Sequence, residues 1–151
     1  MGTTRRQPWS ATHADAWIGL LETHKRLTRE IDSQLESEHG LTISSFELLT
    51  RLASAENRTL KLTTLANEAG LSLSRVSRIL DTLERRGLVE RRPSAEDTRA
   101  KNAWLTPQGV ELQRAAEATF FGGVERLFFD HVTDEDLATL ARVFGPFRRN
   151  V

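Results

Sequence analysis

The sequence predicts a mainly α-helical fold with a small β-hairpin, in the α+β class. Long segments at both ends of the chain carry apolar residues at three- and four-residue steps, which is the period of an amphipathic helix. Between them, two short alternating segments flank a polar turn, which is the pattern of a hairpin. A chain of 151 residues with 38% apolar residues is sufficient for one domain with its own core.

The N-terminal third predicts two helices. The first covers residues 11–38 and ends at Gly40, because a residue without Cβ can adopt the left-handed backbone that closes a helix. The second begins at a cap supplied by Thr42 or Ser44, and residues 54–58 after it form a loop. Four apolar side chains of this second helix are expected to face the core: Phe46, Leu48, Leu49 and Leu52.

The middle of the chain predicts a short extended stretch, a helix, a tight turn and another helix. The first helix covers residues 63–69 and ends at Gly70, and Ser72 then caps the second helix. Steps of about 100° per residue divide the second helix into two faces. The buried face is predicted to carry Leu73, Val76, Ile79, Leu80 and Leu83. The outward face is predicted to carry Ser74, Arg75, Arg78, Thr82 and Arg85.

The hairpin is predicted from residues 88–92 and 101–105, with the polar sequence PSAEDTRA at its tip. Thr106 followed by Pro107 then marks the start of a long helix, because threonine is a good N-cap and proline is tolerated at the first helical position. Two glycines, Gly122 and Gly123, predict an interruption in this helix.

The last predicted helix begins at Thr133, with Asp136 three residues later to complete a capping box. The same helix carries a set of apolar side chains: Leu137, Leu140, Ala141, Phe144 and Phe147.

The two middle helices and their glycine-containing turn have the arrangement of a helix-turn-helix. Between Arg58 and Lys101 there are ten basic and six acidic residues, although the whole chain carries 21 of each. A basic middle between acidic flanks favours a polyanionic partner there. Arginine and serine can bond base edges or phosphates in the major groove. The residues predicted to contact DNA from this helix are Ser72, Ser74, Arg75, Ser77, Arg78 and Thr82. Alternatively, the arginines only solvate the face of an ordinary helix.

The hairpin tip strengthens the nucleic-acid interpretation. Arg99 lies on the short protruding loop, near Arg91 and Lys101, and such an arm can enter a narrow minor groove. We therefore predict DNA contacts for Arg91, Arg99 and Lys101. Asp97 is predicted to support the loop through an arginine or backbone N–H groups, rather than to touch DNA.

Several short motifs together resemble those of the MarR family of bacterial transcription regulators. They are Leu65-Ala66, Gly70-Leu71-Ser72, Leu83-Glu84-x-x-Gly87-Leu88-Val89-Glu90-Arg91, Asp97-x-Arg99 and Leu105-Thr106-x-x-Gly109. The resemblance implies a single winged helix-turn-helix domain, with residues 42–105 as the DNA-binding lobe and residues 11–38 and 107–149 as dimerisation helices. It also implies a recognition helix over residues 72–86 and a minor-groove role for Arg99. Many members carry further charge beside the wing arginine, whereas Thr98 and Ala100 stand there in this chain.

The function implied by the resemblance is that of a cytoplasmic homodimeric regulator, a repressor on a palindromic operator. Dimerisation also has an independent argument, because the terminal helices carry more large apolar side chains than one small lobe can cover. Six phenylalanines illustrate the excess: Phe120, Phe121, Phe128, Phe129, Phe144 and Phe147. The alternative is a monomer whose own core absorbs them.

The resemblance implies possible release from DNA by a small aromatic or phenolic effector, and one stripe of the first helix is a candidate pocket for it. Trp17, Leu21 and His24 share that stripe, and Phe46 and Leu49 are expected to face them from the second helix. The alternative is a packed core that contains a histidine with its hydrogen bonds satisfied.

Other classes of function lack support in the sequence. Zero cysteines exclude a disulfide framework and a thiolate metal site, and the four histidines are too scattered to predict a metal. There is no catalytic or cofactor motif, so neither an enzyme nor a cofactor is expected. No apolar run reaches the roughly 20 residues of a membrane span. The N-terminal MGTTRRQPWS precedes a charged amphipathic segment and does not predict a secretory leader.

Two further hypotheses remain open at this stage. The winged helix could be a protein-interaction module without sequence-specific DNA binding. The chain could also be the dimerisation half of a small-molecule transferase, but that hypothesis requires a cofactor site for which the sequence has no motif.

Overall fold

The computed structural model describes residues 8–148, so the last position of the predicted C-terminal range, 149, lies outside the described residues. The helices are α1 (Ala11–His39), α2 (Ile43–Ser54), α3 (Leu62–Ala69), α4 (Leu73–Arg85), α5 (Pro107–Leu127) and α6 (Asp134–Arg148). The strands are β1 (Thr59–Lys61), β2 (Val89–Pro93) and β3 (Lys101–Leu105). Single 3-10 turns occupy Glu56–Arg58 and Phe129–His131. The predicted fold class, mainly helical with a small antiparallel sheet, is confirmed.

Local capping residues fix the helix ends at the α1–α2 and α3–α4 connections. Gly40 and Gly70 adopt left-handed backbone, with φ of 63° and 64°, and close α1 and α3. The hydroxyl oxygens of Thr42 and Ser72 accept hydrogen bonds from backbone N–H groups three residues later, at 3.1 and 3.2 Å. Of the four, Gly70 ends α3 and Ser72 starts α4, so this pair defines the turn between those two helices.

The start of α5 is locked onto the end of the α4–β2 connection by Thr106. Its hydroxyl group donates to the carbonyl oxygen of Gly87 at 2.7 Å, and its oxygen accepts from the N–H of Gly109 at 3.0 Å. A Cβ on Gly109 would collide with the carbonyl oxygen of Leu88. The Leu105-Thr106-x-x-Gly109 motif is therefore explained by close packing of α5 against the base of the hairpin.

The sheet has three strands in the order β1-β3-β2, and both pairings are antiparallel. Val89 lies opposite Leu105 in the predicted hairpin, while Thr59 lies opposite Trp104 on the other side of β3. The sequence predicted the hairpin but only an extended stretch in place of β1, because a three-residue strand has no periodicity of its own. This third strand anchors the hairpin to the helical lobe.

The core lies among the second half of α1, α2, α3, α4 and the base of the hairpin. Its fully buried side chains include Leu35, Leu48, Leu49, Leu52, Leu65, Val76, Leu80, Leu83 and Leu105. The prediction that Leu73 belongs to the buried face is wrong, because this side chain is 48% exposed. It is the first residue of α4, where neighbouring elements do not reach far enough to cover it.

The long helix α5 is continuous, so the predicted interruption at Gly122 and Gly123 is wrong. Gly123 is instead buried where α5 crosses α1. A Cβ at Gly123 would lie 3.3 Å from Oε1 of Gln34 and 3.6 Å from Cγ1 of Ile31. The absence of a side chain lets the two long helices approach closely.

The outer parts of the terminal helices expose apolar side chains. Helix α6 has no buried residue. The exposed large apolar residues outside the lobe are Trp9, Trp17, Ile18, Leu20, Leu21, Phe121, Phe129, Val143 and Phe147. No described helix combines the length and the hydropathy needed to cross a bilayer. Most of these exposed apolar side chains lie on α1, α5 and α6, while Trp9 precedes α1 and Phe129 lies in a 3-10 turn.

Candidate nucleic-acid interface

The N-terminal end of α4 is exposed and carries a polar, cationic surface, with no acidic residue in the first turn. Ser74, Arg75 and Arg78 are all exposed there. The Arg75 guanidinium reaches toward the start of α2, where Nη2 lies 3.4 Å from the Ser44 hydroxyl oxygen. Unpaired N–H groups at a helix start add to the attraction for phosphate oxygens. This end of α4 can therefore bind an anion or a nucleic-acid groove.

Two other residues predicted to contact DNA have mainly local bonds in the structure. The Ser72 hydroxyl caps α4 through the N–H of Arg75, although the residue is exposed. Thr82 is exposed on the same outward face and accepts a hydrogen bond from Arg85 Nη2 at 3.3 Å. Arg78 has no ion pair with any described residue. Among these side chains, Arg78 is the most available for a partner.

Arg91 and Ser77 do not face outward, so the geometry opposes their predicted contacts with DNA. The Arg91 side chain is only 16% exposed and forms an ion pair with Asp81. Its guanidinium also lies 3.5 Å from Glu84 Oε2 and donates to the Ser77 hydroxyl at 3.4 Å and carbonyl at 3.3 Å. Arg91 thus holds β2 against α4. The sequence could not indicate this, because the contact depends on how the hairpin packs.

The hairpin tip, residues 94–100, is held by a chain of local hydrogen bonds. Oδ1 of Asp97 accepts from the backbone N–H of Arg99 at 2.9 Å. Across the tip, the N–H of Ser94 donates to the carbonyl oxygen of Ala100 at 3.0 Å. The side chain of Arg99 is exposed beyond this turn. The structure therefore places the Asp97 carboxylate where it stiffens the loop that carries Arg99.

Two further contacts attach the hairpin to its surroundings. Nζ of Lys61 on β1 lies 3.1 Å from Oε2 of Glu96 at the tip. The guanidinium carbon of Arg92 lies 3.8 Å from the centre of the Trp104 ring. Lys101 is exposed at the start of β3. The cationic side chains that remain outward on the hairpin are thus Arg99 and Lys101, with Arg92 partly occupied by Trp104.

The predicted pocket between α1 and α2 is not assembled in this chain. Trp17 and Leu21 are 49% and 37% exposed, and His24 is also exposed on α1. Phe46 and Leu49, in contrast, are buried in the core. The helical period identifies a stripe on each helix, but it does not give the level at which two helices cross.

A different groove lies beside Phe46. It has a volume of about 570 Å³ and lies between α2, α3, β1 and α5. Phe46 and Phe120 stack at its apolar wall, with ring centres 5.0 Å apart. At its rim, Arg51 forms ion pairs with Glu47 at 2.8 Å and Glu68 at 3.5 Å. This groove has the aromatic wall that the sequence placed elsewhere.

Helices α1 and α5 are joined by a polar network outside the lobe. Thr119 donates its hydroxyl proton to Oε2 of Glu38 at 2.7 Å, and Gln34 donates to the other carboxylate oxygen at 3.0 Å. These hydrogen bonds, with smaller contributions from His39 and Arg126, hold the pKa of Glu38 below its ordinary value. His39 Nε2 lies 2.7 Å from the same Thr119 hydroxyl. Residues 8–148 contain no group of three or more side chains suited to hold a metal.

One structural residue escaped the sequence reasoning altogether. Arg86, just beyond α4, donates from Nη1 to the carbonyl oxygen of Gly40 at 2.7 Å and from Nη2 to that of His39 at 2.8 Å. These carbonyl groups lie at the end of α1, where helical partners are lacking. The only signal in the sequence is the run of basic residues at the end of α4. It indicates an anionic or carbonyl partner, but it does not identify the partner.

A helix-turn-helix followed by an anchored hairpin defines the winged helix-turn-helix class of proteins. A sequence model of the MarR family matches residues 41–101. The transcriptional regulator FarR of Neisseria gonorrhoeae is 31% identical over 105 residues, which cover 70% of each chain. This protein belongs to the MarR family. The matched family and relatives are transcription regulators and not enzymes.

Two further likenesses bear on function. The transcriptional repressor MprA of Escherichia coli K12 is 37% identical over 75 residues, which cover 50% of this chain and 43% of MprA. The match spans about half the length of the first curated relatives. Among solved structures, the MarR family regulator Sco3205 of Streptomyces coelicolor, in complex with DNA, is 28% identical with a TM-score of 0.89. That likeness covers 95% of this chain and 91% of Sco3205.

Proposed function

We propose that this protein binds duplex DNA as a homodimer and represses transcription by occupying a palindromic operator. The observation that carries the proposal is the exposed cationic end of α4 beside a hairpin that Arg91 fixes to the same helix. In this arrangement α4 enters the major groove with Ser74, Arg75 and Arg78. Arg99 at the hairpin tip reaches the adjacent minor groove, with Lys101 near the phosphates. The likeness to a regulator solved on DNA supports this assignment.

Different segments of the chain have different roles in this proposal. Residues 42–105 form the DNA-binding lobe, and the terminal helices pair two copies of the chain. The dimer is supported by the apolar side chains that a single copy leaves exposed, such as Phe121 at 60% and Phe147 at 70%. A twofold axis repeats the lobe, so the preferred DNA site is a palindrome with half-sites roughly one helical turn apart. We place this action in the cytoplasm.

A small aromatic effector is a further part of the proposal. The groove beside Phe46 and Phe120 supports it, because a stacked aromatic wall suits a planar ligand. The groove lies between α2 of the lobe and α5 of the dimerisation region. A ligand bound there can change the angle between lobe and dimer, and so release the operator.

The test of DNA binding measures affinity against salt concentration. Duplexes are selected from a random library on immobilised protein, and fluorescence anisotropy then measures their affinity. Log affinity should fall linearly with log salt, because phosphate contacts release counterions. If DNA affinity does not depend on salt and the protein binds a protein partner instead, the alternative of a protein-interaction module is favoured.

Variants of α4 make this test specific. Arg75→Ala or Arg78→Ala should cost about 1–3 kcal/mol on the selected duplex if the side chain reads a guanine. A loss of the same size on random duplex reduces that arginine to a phosphate contact. Arg114→Ala on α5 is the control, since it removes one exposed positive charge from a helix outside residues 42–105.

A further inference from the structure

Leu73 occupies an exposed position that the proposed dimer does not explain. Its side chain is 48% exposed, although the helical period predicts burial. In residues 41–105 it is the one exposed large apolar side chain. The others are Trp9, just before α1, and residues at 17–21 and 121–147, on the terminal helices assigned to dimerisation. Leu73 thus needs an explanation within the lobe itself.

Leu73 lies in the part of α4 that contacts base edges in the proposed complex with DNA. It is the first residue of the helix and stands between Ser72 and Ser74. Helical side chains tilt toward the N-terminus, so Leu73 extends past the start of the helix. Steps of about 100° place Leu73 beside Ser77, on the side of α4 that faces the hairpin. Arg75 lies toward α2, on the other side.

The surroundings of Leu73 favour a nucleic acid over a protein as its partner. The first turn of α4 has no acidic residue, and Arg75 and Arg78 are exposed within the next turn and a half. Positive charge from Arg75 and Arg78 on the same end of α4 as this apolar side chain matches the major groove, where phosphates flank the bases. Thymine is the only base that presents an apolar group there, its C5-methyl.

We propose that Leu73 packs against a thymine methyl group and so makes the protein prefer thymine at one position of each half-site. This inference rests on the proposed function, since it requires α4 to enter the major groove. The contact removes one methyl and part of the leucine from water, whereas the arginines supply hydrogen bonds and charge. In this account Leu73 contributes only to the preference for one base. Arg78 also contributes to the affinity for DNA of any sequence.

The test removes only the methyl group from DNA. Duplexes selected by the wild-type protein are remade with deoxyuridine in place of each thymine in turn, at symmetric positions. For wild type, one position should weaken binding by about fourfold per half-site, the affinity equivalent of one buried methyl. For Leu73→Ala, uracil at that position should have no effect, while uracil effects elsewhere are unchanged.

Controls separate this inference from the proposed function. Leu73→Ala should keep the wild-type salt dependence on random duplex and the wild-type unfolding temperature, since the side chain is half exposed. Arg78→Ala should bind more weakly but retain the uracil effect. Equal sensitivity of wild type and Leu73→Ala to uracil at every position overturns the role of Leu73. Loss of all DNA binding by Leu73→Ala also overturns it, because the residue is then structural. Absence of DNA binding by wild type instead overturns the proposed function.

Discussion

The guanidinium of Arg86 donates a hydrogen bond of 2.7 Å to the carbonyl oxygen of Gly40, and this bond joins the end of α4 to the end of α1. A second bond, 2.8 Å to the carbonyl oxygen of His39, fixes the plane of the guanidinium. A cation also complements the negative end of the α1 dipole. The helix proposed to read DNA is therefore tied to the helix proposed to set the dimer.

Replacement of Arg86 by methionine should weaken the contact between the end of α4 and the end of α1. We expect unfolding free energy to fall by about 1 kcal/mol, because two charged hydrogen bonds at an exposed site are lost. The effect on DNA should be broader tolerance of half-site spacing, measured with duplexes that differ by one base pair in their centre. Arg85→Met is the control, since Arg85 contacts Thr82 of its own helix. Equal spacing tolerance in both variants contradicts the role of Arg86.

Replacement of Arg91 by methionine separates a structural role from a DNA contact. The side chain is 16% exposed, and its bonds to Asp81, Glu84 and Ser77 hold the hairpin. We expect a loss of about 1–3 kcal/mol in unfolding free energy. The salt slope of DNA binding should stay unchanged. If the variant has wild-type stability and its slope of log affinity against log salt is smaller by about one, Arg91 is a phosphate contact after all.

Arg92→Met is the matched control for Arg91, because it removes the same charge from the neighbouring strand position. Arg92 bonds Glu90 at 2.9 Å and is about half exposed, at 50%. Its loss, together with the contact to Trp104, should cost less than about 1 kcal/mol. Urea unfolding of the two variants in parallel provides the comparison.

The hairpin tip should act through Arg99 and, indirectly, through Asp97. Arg99→Ala should lower DNA affinity and reduce the salt slope by about one, while the dimer mass stays the same. Asp97→Ala should weaken binding less, because it removes only the carboxylate that accepts the N–H of Arg99. Anisotropy titrations and light scattering measure the two effects. Wild-type affinity in Arg99→Ala removes the hairpin tip from the mechanism.

The contact between Glu38 and Thr119 makes part of the stability depend on pH. The pKa of Glu38 is lowered from 4.5, chiefly by the Thr119 hydroxyl. This contribution is therefore present above pH 4.5 and is lost as the pH falls through the lowered value. Thr119→Val should be less stable than wild type at neutral pH, and the difference should shrink below pH 4.5.

Urea unfolding over that pH series measures the change. In a Glu38→Gln background this carboxylate is absent, so the shrinkage of the Thr119→Val effect below pH 4.5 should be absent as well. A constant difference between wild type and Thr119→Val at every pH contradicts the assignment of the lowered pKa to this hydrogen bond.

The sequence could predict features that depend on neighbouring residues. Gly40, Gly70, Ser72 and Thr106 define their helix ends through groups within a few residues of each cap, so these predictions succeeded. Leu73 was misplaced because the helical period describes an infinitely long helix and ignores where the covering elements stop.

Contacts between distant segments lay beyond the reach of the sequence. Ser77 and Arg91 meet only because the hairpin packs on α4, and Arg86 reaches Gly40 across 46 positions of the chain. The level at which α1 crosses α2 likewise decided that Trp17 does not meet Phe46. Tertiary packing fixes such distances, and residue type alone does not.

The mass of the protein–DNA complex tests the central claim most directly. Sedimentation of the full chain with a selected palindromic duplex should give two chains on each duplex, and two chains as well in the absence of DNA. A single chain per duplex, or a duplex whose sedimentation is unchanged by the protein, would contradict a dimer that grips DNA with two copies of α4.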